Sequence, residues 1–106
     1  MDKGILSVAI VEPLQGKHEA AIELLREFYC FMAEKGYSHD LLYRDANNAS
    51  RFVHLRLWRS ATAQQEAQED PDVHRFWMRL PEVCEVSKAR QNVELLFSSI
   101  DSLSHE

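Results

Sequence analysis

A chain of 106 residues with 45% hydrophobic content is long enough to bury a core as one domain and too short for two. Its formal charge of −5, with no run of Lys or Arg, argues against nucleic acid, which is bound through clustered cations, and disfavours anionic membranes for the same reason. Met1-Asp2-Lys3-Gly4 leads straight into a strand pattern, without an apolar leader, a cleavage site or a run near the roughly 18 residues of a membrane span, which predicts a cytoplasmic location.

Ile5 to Glu12 alternates Leu6, Val8 and Ile10 against Ile5, Ser7, Ala9 and Val11, and being apolar on both sides it reads as a central strand. Gly16 offers an N-cap with Glu19 three residues on, and Lys17 to Lys35 carries the wide apolar stripe of a helix lying across a sheet. Gly36 stands where a helix ends in a left-handed residue. Tyr37 to Asp45 is a second strand, and Ala46 to Ser50 suits a hairpin connection into a third strand, Arg51 to Arg59.

Ser60 caps a polar helix from Ala61 to Glu69 that has no apolar stripe. Asp70 then sits at an N-cap and Pro71 at the first helical position, with Val73, Phe76, Trp77 and Leu80 following at i, i+3, i+4 and i+7 as a buried face. Pro81 closes this helix. Glu82 to Ala89 fits a helical turn or a loop, and Gln91 to Ser99 alternates Val93, Leu95 and Phe97 as the last strand, before a polar tail over 100–106. Cys30 and Cys84, with neither a CxxC spacing nor a His at ligand distance, read as ordinary thiols rather than a disulfide or a metal site.

The order strand, helix, strand, strand, helix, strand predicts an α+β, ferredoxin-like split βαβ domain whose four-stranded antiparallel sheet is covered by helices on one face. The third strand sets Val53, Leu55 and Leu57 against Phe52, His54, Arg56 and Trp58. The aliphatic set suits the helix-covered side. The mixed set then lies on the open side, exposing Phe52 and Trp58, and pairing of two sheets in a homodimer over Phe52, His54 and Arg56 would bury it.

At Leu57-Trp58-Arg59-Ser60, followed by the polar helix and Asp70-Pro71-Asp72-Val73 with Phe76 and Leu80, the chain resembles the antibiotic biosynthesis monooxygenase family of dimeric α/β barrels. The resemblance runs over nearly the whole chain and includes Tyr43-Arg44-Asp45 before the hairpin. It implies a pocket between sheet and helices in each protomer, and cofactor-free oxygenation of a small aromatic or quinol-like molecule. Where many members carry His, this chain has Ala67 and Asp72. Non-catalytic binding of a small hydrophobic ligand is the second reading. Haem degradation is a distant third, because the first-strand Asn of that branch aligns with Ala9.

The chemistry points first to His54 as a base for a phenolic proton and Arg56 as the cation that stabilises the anion. Trp58, Phe52, Phe28, Trp77 and His74 are the candidate substrate contacts. No cofactor and no metal are expected.

Overall fold

The computed structural model describes residues 4–99; the tail expected over 100–106 lies outside the described residues. The elements follow in the order β1 (Ile5–Pro13), α1 (His18–Glu34), β2 (Ser38–Asp45), β3 (Asn48–Trp58), α2 (Ala61–Glu69), α3 (Pro71–Arg79), a 3-10 turn (Leu80–Glu82) and β4 (Cys84–Glu94). The strands form one antiparallel sheet in the order β2-β3-β1-β4, the α+β ferredoxin-like arrangement. β1 and β3 are its inner strands. Among the described residues no helix is long and apolar enough to cross a membrane.

Local chemistry sets the helix ends. Ser60 Oγ accepts the Ala63 amide at 3.0 Å, and Asp70 Oδ1 accepts that of Asp72 at 2.8 Å with Pro71 in the first turn. Gly36 follows α1 with φ +77°, and a Cβ there would stand 2.8 Å from Arg59 Nη1. The start of α1 differs from the expected cap. Lys17 is the capping residue, while Gly16, also at φ +77°, turns the chain between Leu14 and Lys17.

β4 begins seven residues before the expected Gln91, because Pro81 lies within a single 3-10 turn, Leu80–Glu82, and Cys84 already pairs with Pro13. Register shifts opposite Leu6, Val8 and Ala9 break its alternation, which hid the strand. The Val93-Leu95-Phe97 pattern spans the strand's end and the residues just beyond it, where the Leu95 amide reaches Gly4 O at 3.0 Å.

The two faces of the sheet are the reverse of those expected. Phe52, His54 and Arg56 are buried at 2%, 9% and 5% exposure beneath the helices, with Tyr29 of α1 stacked on His54 at 4.5 Å and Arg56 4.8 Å from the Phe28 ring. The aliphatic partners lie on the uncovered face. Register puts Val53, Leu55 and Leu57 beside Ile10, Val8 and Leu6 there, and Leu41, Tyr43, Leu57 and Val93 are all exposed. A hydrophobicity pattern assumes that polar groups seek water, whereas here they satisfy one another inside.

The core joins Val11 and Phe52 of the sheet to Leu24, Leu25, Phe28 and Met32 of α1 and to Val73 and Leu80. Phe28 stacks on Phe76 at 4.7 Å. Trp77, expected in this core, is 38% exposed: its ring meets Phe28 edge-on and turns toward the space between α3 and the sheet. Cys84 is buried and Cys30 exposed, both as free thiols.

Candidate functional site

Between the sheet and the α2–α3 pair lies a cavity of about 360 Å³, bordered by β1, β3 and β4 as well as both helices. Small residues leave the space: Ala9, opposite His54 in the β1–β3 register, and Ala67 on the inner side of α2. Trp58 and Trp77 supply aromatic wall, and Val73 and Val86 aliphatic wall. The Trp58 indole is held by Nε1 donating to Ser7 Oγ at 3.0 Å.

His54 and Arg56 border the cavity, and behind them lies a residue the sequence did not single out. Asp40 of β2 faces Arg56 across the hairpin, and its carboxylate is fully buried. Its Oδ1 accepts from His54 Nε2 at 2.7 Å and from Arg56 Nε at 2.5 Å, while Oδ2 accepts from Ser38 Oγ at 3.0 Å. Burial alone would raise the Asp40 carboxyl, but the hydrogen bond from His54 and the charge and hydrogen bond of Arg56 outweigh it and hold it below its ordinary value. Asp40 is therefore ionised and can only accept.

That fixes the imidazole. Burial pushes His54 below its ordinary value, the bond to Asp40 opposes this, and the Arg56 charge adds to it, so the ring is neutral at pH 7. With the carboxylate accepting at Nε2, that nitrogen carries the hydrogen and Nδ1 is left as the basic atom. The Asp40–Arg56 contact is an ion pair and the Asp40–His54 contact a charge-assisted hydrogen bond.

Two buried polar atoms have no partner among the described residues, Arg56 Nη2 and Tyr29 Oη. The guanidinium lies against the rings of Phe28 and Trp58, at 4.8 and 5.4 Å from their centroids, and keeps one nitrogen uncommitted. Burial raises the Tyr29 phenol, with the Arg56 charge opposing, so it stays protonated.

Of the expected substrate contacts, Trp58, Trp77 and His74 border this cavity, His74 from an exposed position where its Nε2 is bonded to the Gln68 carbonyl. Phe28 and Phe52 do not. Phe28 is core beneath Arg56, and Phe52 borders a separate cavity of about 350 Å³ with Tyr29 and Leu42. Ala67 lines the cavity beneath α2 and α3, whereas Asp72 pairs with Arg75 at the surface. Among the described residues no group of His, Cys, Asp or Glu could hold a metal ion.

The class that fold and cavity define is a ferredoxin-like domain with a pocket under its helices, and the fold is that of antibiotic biosynthesis monooxygenase-like structures. Solved structures similar to this chain include SnoaB, a cofactor-independent oxygenase from Streptomyces nogalater, at TM-score 0.67 and 17% identity over 86% of this chain and 97% of that one. A provisionally named antibiotic biosynthesis monooxygenase from Nitrosomonas europaea matches at TM-score 0.72 and 10% identity, over 88% and 92%. A conserved protein from Bacteroides thetaiotaomicron matches at 0.73 and 17%, over 90% and 100%. No family model and no curated protein matches the sequence. At these identities the likeness is one of fold.

Proposed function

We propose that the protein is a cofactor-independent monooxygenase of a small aromatic or quinol-like molecule. The observation that carries this reading is the buried Asp40–His54–Arg56 cluster bordering an aromatic-walled cavity, in a fold shared with a cofactor-independent oxygenase. His54 Nδ1 takes a proton from the bound phenol, Asp40 holds the imidazole in the required tautomer and stabilises the imidazolium, and the Arg56 guanidinium favours the phenolate. The electron-rich anion then reduces O₂ without a cofactor. One oxygen atom stays on a ring carbon as a carbonyl, and the other leaves as water with the single hydrogen of that carbon and the phenolic proton that His54 took up. The apolar walls exclude bulk water from the anion.

Oxygen uptake with a panel of hydroxylated aromatics tests the reading. His54→Ala should lower turnover by on the order of 10²-fold and remove the acid limb of the pH–rate profile. An active substrate turned over equally well by that variant would move the chemistry elsewhere. Binding without turnover across the panel would instead favour the non-catalytic module, consistent with Ala67 and Asp72 standing where similar proteins often carry His.

A homodimer belongs to the same proposal. The face that a second copy covers is the aliphatic one, around Leu41, Tyr43, Leu55 and Leu57, and not the face of Phe52, His54 and Arg56.

A further inference from the structure

The charge around the cavity is out of keeping with the chain. The protein carries a formal −5, yet its cavity is bordered by Arg56, Lys88 and Arg90 with no Asp or Glu among the lining residues. Asp40 lies behind the lining and balances Arg56 alone. Lys88 and Arg90 make no ion pair among the described residues: the Lys88 ammonium stands 5.9 Å over the Trp77 ring, and Arg90 Nη1 donates to the neighbouring Ala89 carbonyl at 2.7 Å. Both border the cavity where β4 shifts register, Lys88 pairing with Ala9 and Arg90 with Val8. Bulges of this kind re-aim side chains beside binding sites.

A second observation points the same way from the interior. Arg56 is 95% buried and borders the cavity, and its Nη2 has no acceptor. An unspent N–H on a buried guanidinium costs free energy that an anionic oxygen would recover. Trp58, Trp77, Val73 and Val86 give the lining, beside neutral polar side chains such as Gln64 and Gln68, an aromatic and aliphatic wall that suits an anion carried on a flat apolar body.

We infer that the cavity selects aromatic carboxylates, so that a substrate of the proposed reaction is a hydroxylated aromatic acid whose ring lies along Trp58 and Trp77 and whose carboxylate is drawn to the cations. This rests on the cavity being the substrate site but not on any oxidation taking place there.

Calorimetric titration with 2-naphthoate, its neutral isostere 2-naphthamide and acetate separates the two ideas, since none of these probes need be turned over. At pH 7 and low salt, 2-naphthoate should bind about 10-fold or more tightly than 2-naphthamide. Acetate, which has the charge without the ring, should not compete. Removing Arg56 would strip Asp40 of its partner, so the exposed rim carries the mutational test. Lys88→Gln with Arg90→Gln should weaken 2-naphthoate about 2–5-fold and leave 2-naphthamide unchanged, and added salt should act in the same sense. Equal affinity for the two aromatics, failure of both to bind at millimolar concentration, or indifference of 2-naphthoate to salt and to the double substitution would overturn the inference. Selective binding with no oxygen uptake by any hydroxylated aromatic acid would uphold it and reject the oxygenase instead.

Discussion

At the scale of single residues, His54 and Asp40 make stability depend on pH in a way that can be worked out from direction alone. His54 in the fold resists protonation, so the unfolded chain takes up a proton near its ordinary value of 6.5 that the folded chain declines. Stability therefore falls as pH drops below about 6.5 and stops falling on this account once the lower folded value is passed. Asp40 adds a second loss at more acid pH: its stabilisation is present above its ordinary 3.8 and disappears as pH falls through the depressed folded value. Denaturant melts between pH 7 and 5 should show the first slope in the native chain and its reduction in His54→Gln; parallel slopes would contradict a buried neutral imidazole. Asp40→Asn should cost about 3–5 kcal/mol, since it leaves Arg56 charged and unpaired.

At the scale of elements, one carboxylate ties the start of α3 to the junction between α1 and β2. Asp70 caps α3 through the Asp72 amide and accepts the Tyr37 hydroxyl at 2.6 Å, a bond that pushes the Tyr37 phenol up to about 12. Asp70→Ala should cost about 1–2 kcal/mol, read as a lowered denaturation midpoint, and should return the Tyr37 ultraviolet titration toward ordinary tyrosine. Phe28→Ala should cost about 3–5 kcal/mol and Trp77→Ala clearly less, the latter ring being part of the cavity wall more than of the core. The order of elements, the caps of α2 and α3, and the end of α1 were legible because each rests on local chemistry: Ser60, Asp70-Pro71 and Gly36 announce themselves. β4 was not, since its bulges erase the alternation by which strands are read. Asp40 was half legible. A five-residue connection over 46–50 would set Asp45 against Arg51 and hence Asp40 against Arg56; the hairpin is in fact tighter, with β3 starting at Asn48 opposite Asp45, and a register shift after Arg44 restores the Asp40–Arg56 pairing. The burial of His54 and Arg56 was hidden because it depends on partners from two other elements, Asp40 of β2 and Tyr29 and Phe28 of α1.

At the scale of the whole molecule, the sheet leaves an aliphatic surface uncovered, and the proposed dimer closes it. Sedimentation at micromolar concentration should give twice the monomer mass. Leu57→Asp, which places a charge in that surface, should yield a monomer with native circular dichroism; a soluble native monomer without the substitution would reject the paired-sheet assembly. The alternation within β3 has a further consequence. Its even-numbered residues from Phe52 to Trp58 look inward and its odd-numbered residues from Val53 to Leu57 look outward, so parity along one strand divides the labour of the molecule. A saturation scan of β3 scored separately for activity and for self-association should produce two interleaved combs, with teeth one residue apart. The outward comb would be free to drift toward new partners while the inward comb keeps its chemistry.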